Sequence, residues 1–278
     1  MIGMGMARSL GEDVELPEGM TSRFIDGVNG LCMHVLEAGF VDPSRPALLL
    51  LHGFPELAWS WRKVMPRLAA AGYRVVAPDQ RGYGRTTGWD PAYDGDLGSF
   101  RPFNLVQDAL DLVSALGLAR VEAVIGHDFG SPIAAHCALI RPDVFASVVM
   151  MSAPFAGTPA ASPTPAPPFD IHADLARLAV PRKHYQRYYS TPEADADMRN
   201  APQGLEAFLR AYYHVKSADW PGNRPHPLPG WTAQALAELP GYYVMPLEQD
   251  MAETVAPHMP LPEEVAACRP AGRPPRAA

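Results

Sequence analysis

The most chemically specific stretch of the chain is Gly126-His127-Asp128-Phe129-Gly130. An apolar run, Val121 to Ile125, leads into it, and a small-residue stretch, Ser131 to Ile140, leaves it. That order predicts a strand, a sharp turn and a helix. Where such a turn lifts a nucleophile above a sheet, the strand and helix backbones nearly collide, so the positions two before and two after it must be small. Gly126 and Gly130 meet this requirement and leave Asp128 as the reactive residue. A carboxylate that attacks saturated carbon forms an alkyl ester, which water then cleaves. The expected chemistry is therefore opening of a strained carbon–oxygen ring or displacement of a halide, not acyl transfer from serine. The bland reading of the same aspartate is a helix N-cap.

A second pattern, His52-Gly53-Phe54-Pro55, directly follows the apolar run Ala47 to Leu51. A glycine-containing turn after a strand lets backbone N–H groups face developing negative charge. The N–H of Phe54 and that of Phe129, the residue after the nucleophile, are the candidate oxyanion donors. A plain strand-to-loop turn is the alternative. Asp79-Gln80-Arg81-Gly82-Tyr83-Gly84 follows the next strand, near the sheet edge where ligands of open α/β sheets collect. Asp79 and Arg81 are read as braces of that loop.

These groups need a scaffold, and the periodicities supply one. Thr21 to Val28 and Leu31 to Ala38 flank Asn29-Gly30, a two-residue hairpin turn. Ala47 to Leu51 is continuously apolar, as a strand covered on both faces should be. A helix is expected over Trp61 to Ala71, a strand over Arg74 to Ala77, and a helix after Asn104, which with Gln107 resembles a capping box. A further strand is expected over Val144 to Met151. Strand–helix alternation of this kind predicts a doubly wound, mostly parallel α/β sheet. From Ser152 the character changes: a Pro/Ala tract over 160–168 precedes aromatic-rich helical pieces, with a strand signal only at Gly241 to Met245. The expected organisation is an arm over 1–20, a core over 21–152, a helical cap over 153–267 and an irregular tail over 268–278.

Composition bounds the partners. The formal net charge of −7 gives no electrostatic footprint for nucleic acid or an anionic membrane. Cys32, Cys137 and Cys268 lie far apart and fit no metal spacing, which suits a reduced, cytoplasmic setting. No signal peptide or membrane span is expected. A small-molecule substrate is the expected partner, with neither metal nor cofactor; nothing in the sequence speaks to oligomeric state.

Taken together, His52-Gly53-Phe54-Pro55, Arg81-Gly82-Tyr83-Gly84 and Gly126-His127-Asp128-Phe129-Gly130 resemble the α/β-hydrolase branch of soluble epoxide hydrolases and of haloalkane and haloacetate dehalogenases. The resemblance covers roughly residues 21 to 267. It implies hydrolysis of an epoxide to a vicinal diol through an aspartyl alkyl ester, with dehalogenation as the alternative. Phe-Pro after His52-Gly53 resembles the epoxide hydrolases, whereas the dehalogenases usually carry halide-binding side chains at the positions of Phe54 and Phe129. The resemblance further assigns to cap tyrosines the protonation of the leaving alkoxide. Lys183-His184-Tyr185-Gln186-Arg187-Tyr188-Tyr189 resembles the segment that carries the first of them, with Tyr185 at the matching position; packing is the other reading of these rings. A neutral phenol suits an acid that donates its proton as a ring opens.

The family pattern also contains a water-activating histidine with an acidic partner, on loops after two further strands. Cys268 to Ala278 is Pro/Arg/Ala-rich and shows no strand pattern. His258 lies in the cap-like stretch, His52 in the oxyanion turn, and His127 is expected to point away from Asp128. The expectation is a chain truncated relative to the family, lacking the base and the second cap tyrosine, and so a catalytically incomplete fragment as a third reading.

Overall fold

The computed structural model describes residues 15–155, 157, 170–217, 220 and 222–267. The arm up to residue 14, the Pro/Ala tract over 160–168 and the tail over 268–278 lie outside the described residues. The chain divides into two compact units, Met1–Ala160 and Ala161–Ala278.

The first unit is built on a six-stranded sheet. Its strands are β1 (Met20–Val28), β2 (Leu31–Ala38), β3 (Ala47–Leu51), β4 (Arg74–Pro78), β5 (Ala123–His127) and β6 (Val148–Met151), in the spatial order β1-β2-β4-β3-β5-β6. β1 and β2 form the hairpin around Asn29-Gly30, with both turn residues at positive φ, the geometry that Asn-Gly favours. β2 joins β4 antiparallel, and β4, β3, β5 and β6 run parallel.

The continuous apolarity of β3 has the cause expected of it. Leu49 and Leu51 pack with Val106, Leu112, Val124 and Ile133 on one face. Leu48 and Leu50 pack with Trp61, Met65 and Val75 on the other. Alternating side chains thus feed two separate cores. Helices α2 (Pro102–Ala115) and α3 (Gly130–Ile140) supply the first of these faces, and a 3-10 turn (Ala58–Lys63) with α1 (Met65–Ala70) the second.

Several boundaries differ from the sequence reading. The helix expected over Trp61 to Ala71 is a 3-10 turn followed by α1, and α1 starts just before Pro66, a residue suited to a first helical turn. α2 starts at Pro102, not after Asn104: proline fits the first turn and holds Arg101 extended at the N-cap. Asn104 consequently lies inside the helix, where its amide donates to Ser99 O at 2.6 Å instead of capping. β5 begins at Ala123 and runs through His127, two residues beyond the apolar run, while Val121 makes an isolated bridge to Phe145. β6 is confined to Val148–Met151. It is an edge strand, paired with β5 alone among the described residues, and its four side chains are between 36% and 47% exposed.

The second unit contains α4 (Ile171–Ala176), β7 (Arg182–His184), α5 (Tyr185–Tyr189), α6 (Ala194–Arg199), α7 (Leu205–His214), α8 (Ala233–Leu236), β8 (Val244–Pro246), α9 (Met251–Val255) and α10 (Pro262–Ala267). β7 and β8 pair antiparallel. The largest apolar cluster of this unit gathers Tyr188, Phe208, Tyr212, Tyr242, Met245 and Met251. No helix among the described residues is long and apolar enough to cross a membrane.

Candidate active site

β5 ends at His127 and α3 starts at Gly130, so Asp128 and Phe129 alone make the turn. Asp128 has φ +51°, a left-handed conformation that a non-glycine residue adopts at a cost of about 1–3 kcal/mol. The glycines around it are required by contact. A Cβ on Gly126 would run into the backbone of Gly130 and the Cα of Ser131, and one on Gly130 would run into the carbonyls of Leu51 and His52. The turn is also tied down. Asp128 N–H donates to Met151 O at 3.0 Å, Ser131 N–H donates to Asp128 O at 3.0 Å, and the Ser131 hydroxyl donates to Ala153 O at 2.7 Å.

The two sequence patterns meet here. Phe54 N–H donates to Asp128 Oδ1 at 3.0 Å. Gly53 permits the approach, because a Cβ at that position would overlap the Asp128 side chain. The Phe54–Pro55 peptide is cis. Phe129 occupies the N-cap of α3 with its ring 45% exposed. His52 is buried: its Nδ1 donates to Gly53 O at 2.9 Å, and its Nε2 accepts the Gln80 N–H at 3.1 Å. Burial holds this imidazole below its ordinary pKa. It is thus a neutral spacer between the two loops. Tyr83 packs edge-on against it at 4.9 Å, and burial, followed by the Asp128 charge, pushes the Tyr83 phenol up to about 12.

One member of the site was not read from the sequence. Glu56, next after His52-Gly53-Phe54-Pro55, accepts Gly53 N–H at 3.0 Å and lies 2.7 Å from His127 Nδ1. The side chain of His127 is therefore engaged with Glu56 and makes no hydrogen bond to Asp128. Adjacency to the turn was the only available signal, since the pairing spans 71 residues. The hydrogen bond to Glu56 raises the pKa of His127 against the opposing effect of burial. Burial pushes Glu56 up, but the His127 and Gly53 hydrogen bonds outweigh it and leave the carboxyl low.

The signs set a window. A lowered carboxyl contributes stability above its unfolded pKa and loses it as pH falls; a raised imidazole contributes below its unfolded pKa and loses it as pH rises. The pair is therefore at full strength between the ordinary values of 4.5 and 6.5. Glu56→Gln is expected to cost about 1 kcal/mol or less there, with the difference shrinking at higher pH as His127 loses its proton. Urea titrations of both proteins across pH check this.

Asp79 and Arg81 brace the neighbouring loop. Asp79 accepts Ala58 N–H at 2.9 Å and Arg85 N–H at 3.0 Å and bonds His34 Nδ1 at 2.8 Å. Arg81 is held by Asp108 through two bonds of 2.9 and 2.7 Å.

Tyr185 belongs to the second unit and opens α5, where its N–H donates to Tyr243 O at 2.9 Å. Its ring lies edge-on to Tyr189 at 5.5 Å and Tyr243 at 5.4 Å, and its hydroxyl is 3.5 Å from Gln186 Nε2. Tyr188 is buried in the unit's core with its hydroxyl on Asp197 Oδ2 at 3.2 Å. Among the described residues no cluster of three or more His, Cys, Asp or Glu side chains is placed to hold a metal.

A strand–elbow–helix whose central Asp128 bonds the loop after β3 is an α/β-hydrolase arrangement. The family described as the alpha/beta hydrolase fold matches residues 46–235, and the chain belongs to that family. Its relatives include an epoxide hydrolase of Caballeronia sordidicola, 40% identical over 143 residues, covering 49% of this chain and 40% of that protein. Epoxide hydrolase B of Mycobacterium tuberculosis is 38% identical over 186 residues, covering 63% of this chain and 50% of the relative. Among solved structures, an epoxide hydrolase from an endophytic Streptomyces superposes with a TM-score of 0.64 at 32% identity, covering 88% of this chain and 64% of that one. The chain is thus epoxide hydrolase-like, and its matched region spans about half the length of the relatives named here.

Gly53→Ala tests the approach of the two loops. A methyl group there would displace the Asp128 carboxylate, and displacement of a reacting group by about 1 Å costs on the order of 10²-fold in rate. With Asp128 as the nucleophile proposed below, the expected result is a loss of its alkylation of that size with the far-UV circular dichroism unchanged.

Proposed function

We propose that the chain opens epoxides through an ester on Asp128. The carboxylate attacks the less hindered ring carbon, the C–O bond of the ring breaks, and Tyr185 delivers a proton to the leaving oxygen. The product of this step is a hydroxyalkyl ester. Completing the cycle requires water to add at the ester carbonyl, where the N–H groups of Phe54 and Phe129 stabilise the charged oxygen; one proton of that water passes to the departing alkoxide, releasing the diol, and the other restores the Tyr185 phenol. The observation that carries this reading is the Phe54 N–H to Asp128 Oδ1 bond, made at an elbow whose central residue sits at φ +51°. The names of the relatives, epoxide hydrolases, agree with a carboxylate nucleophile that needs saturated carbon.

A second reading concerns the water step. The four histidines of the first unit each have a partner: His34 with Asp79, His52 with Gly53, His127 with Glu56 and His136 with Pro132. The Nδ1 of His127 is engaged by Glu56 at 2.7 Å, a bond that raises its pKa. This favours an ester that forms and then persists.

The test is intact-mass spectrometry of the protein after incubation with a small aryl epoxide, with diol assayed in the same tube. An adduct of one epoxide per chain, mapped to the Asp128 peptide, is the expected result. Diol released over many turnovers would uphold epoxide opening and overturn the persistent ester. A folded protein giving neither signal would overturn the proposal.

A further inference from the structure

The second unit carries a concentration of positive charge that the reaction above does not use. β7 (Arg182–His184) and the α5 helix that follows it present Arg182, Lys183 and Arg187 to one cavity of about 210 Å³. His172 and Asp170, from α4 and its N-cap, line the same cavity. This clustering occurs in a protein of net charge −7.

None of the three cations forms an ion pair with a carboxylate among the described residues. Among the described residues no Asp or Glu oxygen lies within 4.0 Å of Arg182, Lys183 or Arg187, while nearby arginines do form such pairs, Arg199 with Asp195 and Arg210 with Glu206. Lys183 Nζ instead rests over the Tyr188 ring at 5.2 Å. Asp170 is occupied as the N-cap of α4, accepting the N–H groups of His172 and Ala173 at 3.0 and 3.1 Å. Those bonds keep its carboxyl ionised, so three cations face one anion.

His172 lines the same cavity, and its Nδ1 is buried with no hydrogen-bond partner among the described residues. A buried polar atom without a partner is costly, and such atoms mark places where a missing partner belongs. The His172 and His184 rings are 6.1 Å apart, and burial, followed by the His172 charge, lowers the His184 pKa.

We infer that Arg182, Lys183, Arg187 and His172 form a binding site for a compact tetrahedral oxyanion, the phosphate group of inorganic phosphate or of a small phosphate monoester. Two guanidinium forks, an ammonium and an imidazole offer more donors than a single carboxylate can accept, whereas three or four phosphate oxygens match them. The neighbouring cavity, about 330 Å³, explains why the ligand must be compact. It shares Lys183, Arg187 and Leu247 but is also lined by four acidic residues, Glu193, Asp197, Glu248 and Asp250. An extended polyanion such as a nucleic acid would have to cross that acidic wall.

Calorimetric titration of the full chain with inorganic phosphate tests the site. One equivalent should bind with a dissociation constant of about 1 mM or tighter, sulfate should compete, and chloride should not. Arg182→Gln and Arg187→Gln should each weaken binding about tenfold, the loss expected for one charge-assisted hydrogen bond. Arg210→Gln, on an exposed helix face elsewhere in the unit, should bind as the parent does. Glycerol 3-phosphate binding more tightly than inorganic phosphate would identify the ester as the preferred form, and equal binding the free ion. Absence of saturable phosphate binding by the folded chain, or undiminished binding by the folded Arg182→Gln/Arg187→Gln double variant, would overturn the site. Arg187 is exposed, so its single variant reads binding free of any folding defect.

Discussion

A chain carrying Asp128→Asn is expected to form no covalent adduct with an aryl epoxide, a loss of at least about 10⁴-fold in alkylation rate. Removing an enzyme's nucleophile typically costs on that order, because positioning and electrostatics alone cannot replace the bond it makes. The amide keeps the size and shape of the carboxylate but brings a neutral, weakly nucleophilic oxygen to the Phe54 N–H. A companion variant, Asp128→Gly, separates chemistry from strain. It should be equally unable to form the adduct yet more tolerant of urea, since glycine occupies φ +51° without the penalty that aspartate bears there, about 1 kcal/mol or more. Wild-type alkylation rates in Asp128→Asn would move the nucleophile elsewhere. A less stable Asp128→Gly would mean that the elbow is not strained.

Asp108→Ala is expected to destabilise the first unit by about 3–5 kcal/mol. Asp108 and Arg81 have side chains only 7% and 5% exposed and meet through two bonds. Asn29 Nδ2 donates to the same carboxylate at 2.6 Å, and Arg81 donates to Asn29 O at 3.1 Å. The network thus locks three pieces together: the β1–β2 turn, α2 and the loop after β4. Truncating the acid leaves a buried guanidinium with one remaining hydrogen-bond partner, Asn29 O. By contrast, Asp195→Ala, which opens the exposed pair with Arg199, should change stability by less than about 0.5 kcal/mol. Urea midpoints for the two variants, with m-values checked for constancy, should differ accordingly. Equal midpoints would show that the buried network contributes little.

Much of this molecule is written in short-range pattern. The Asn29-Gly30 hairpin, the two-faced strand β3 and the glycine-flanked elbow follow from residue types a few positions apart, because turn geometry, side-chain alternation and backbone collision act locally. Asp128 as the raised residue and Phe54 as a donor near it were legible for the same reason. Start and stop residues were less so: Pro102, not Asn104, begins α2, since the fixed φ of proline outweighs a side-chain cap.

Partnerships across the chain needed the tertiary structure. Glu56 meets His127 only because parallel β3 and β5 lie side by side and bring the turn after one to the end of the other. Asp108 meets Arg81 because α2 packs against the sheet beneath the hairpin turn. The cations around His172 become a group only when β7 folds beside α4. What the sequence determined alone is the chemistry available at each turn. Which charged groups find one another was decided by tertiary packing, because the pairings depend on strand order and helix placement, which residue types and local spacing do not encode.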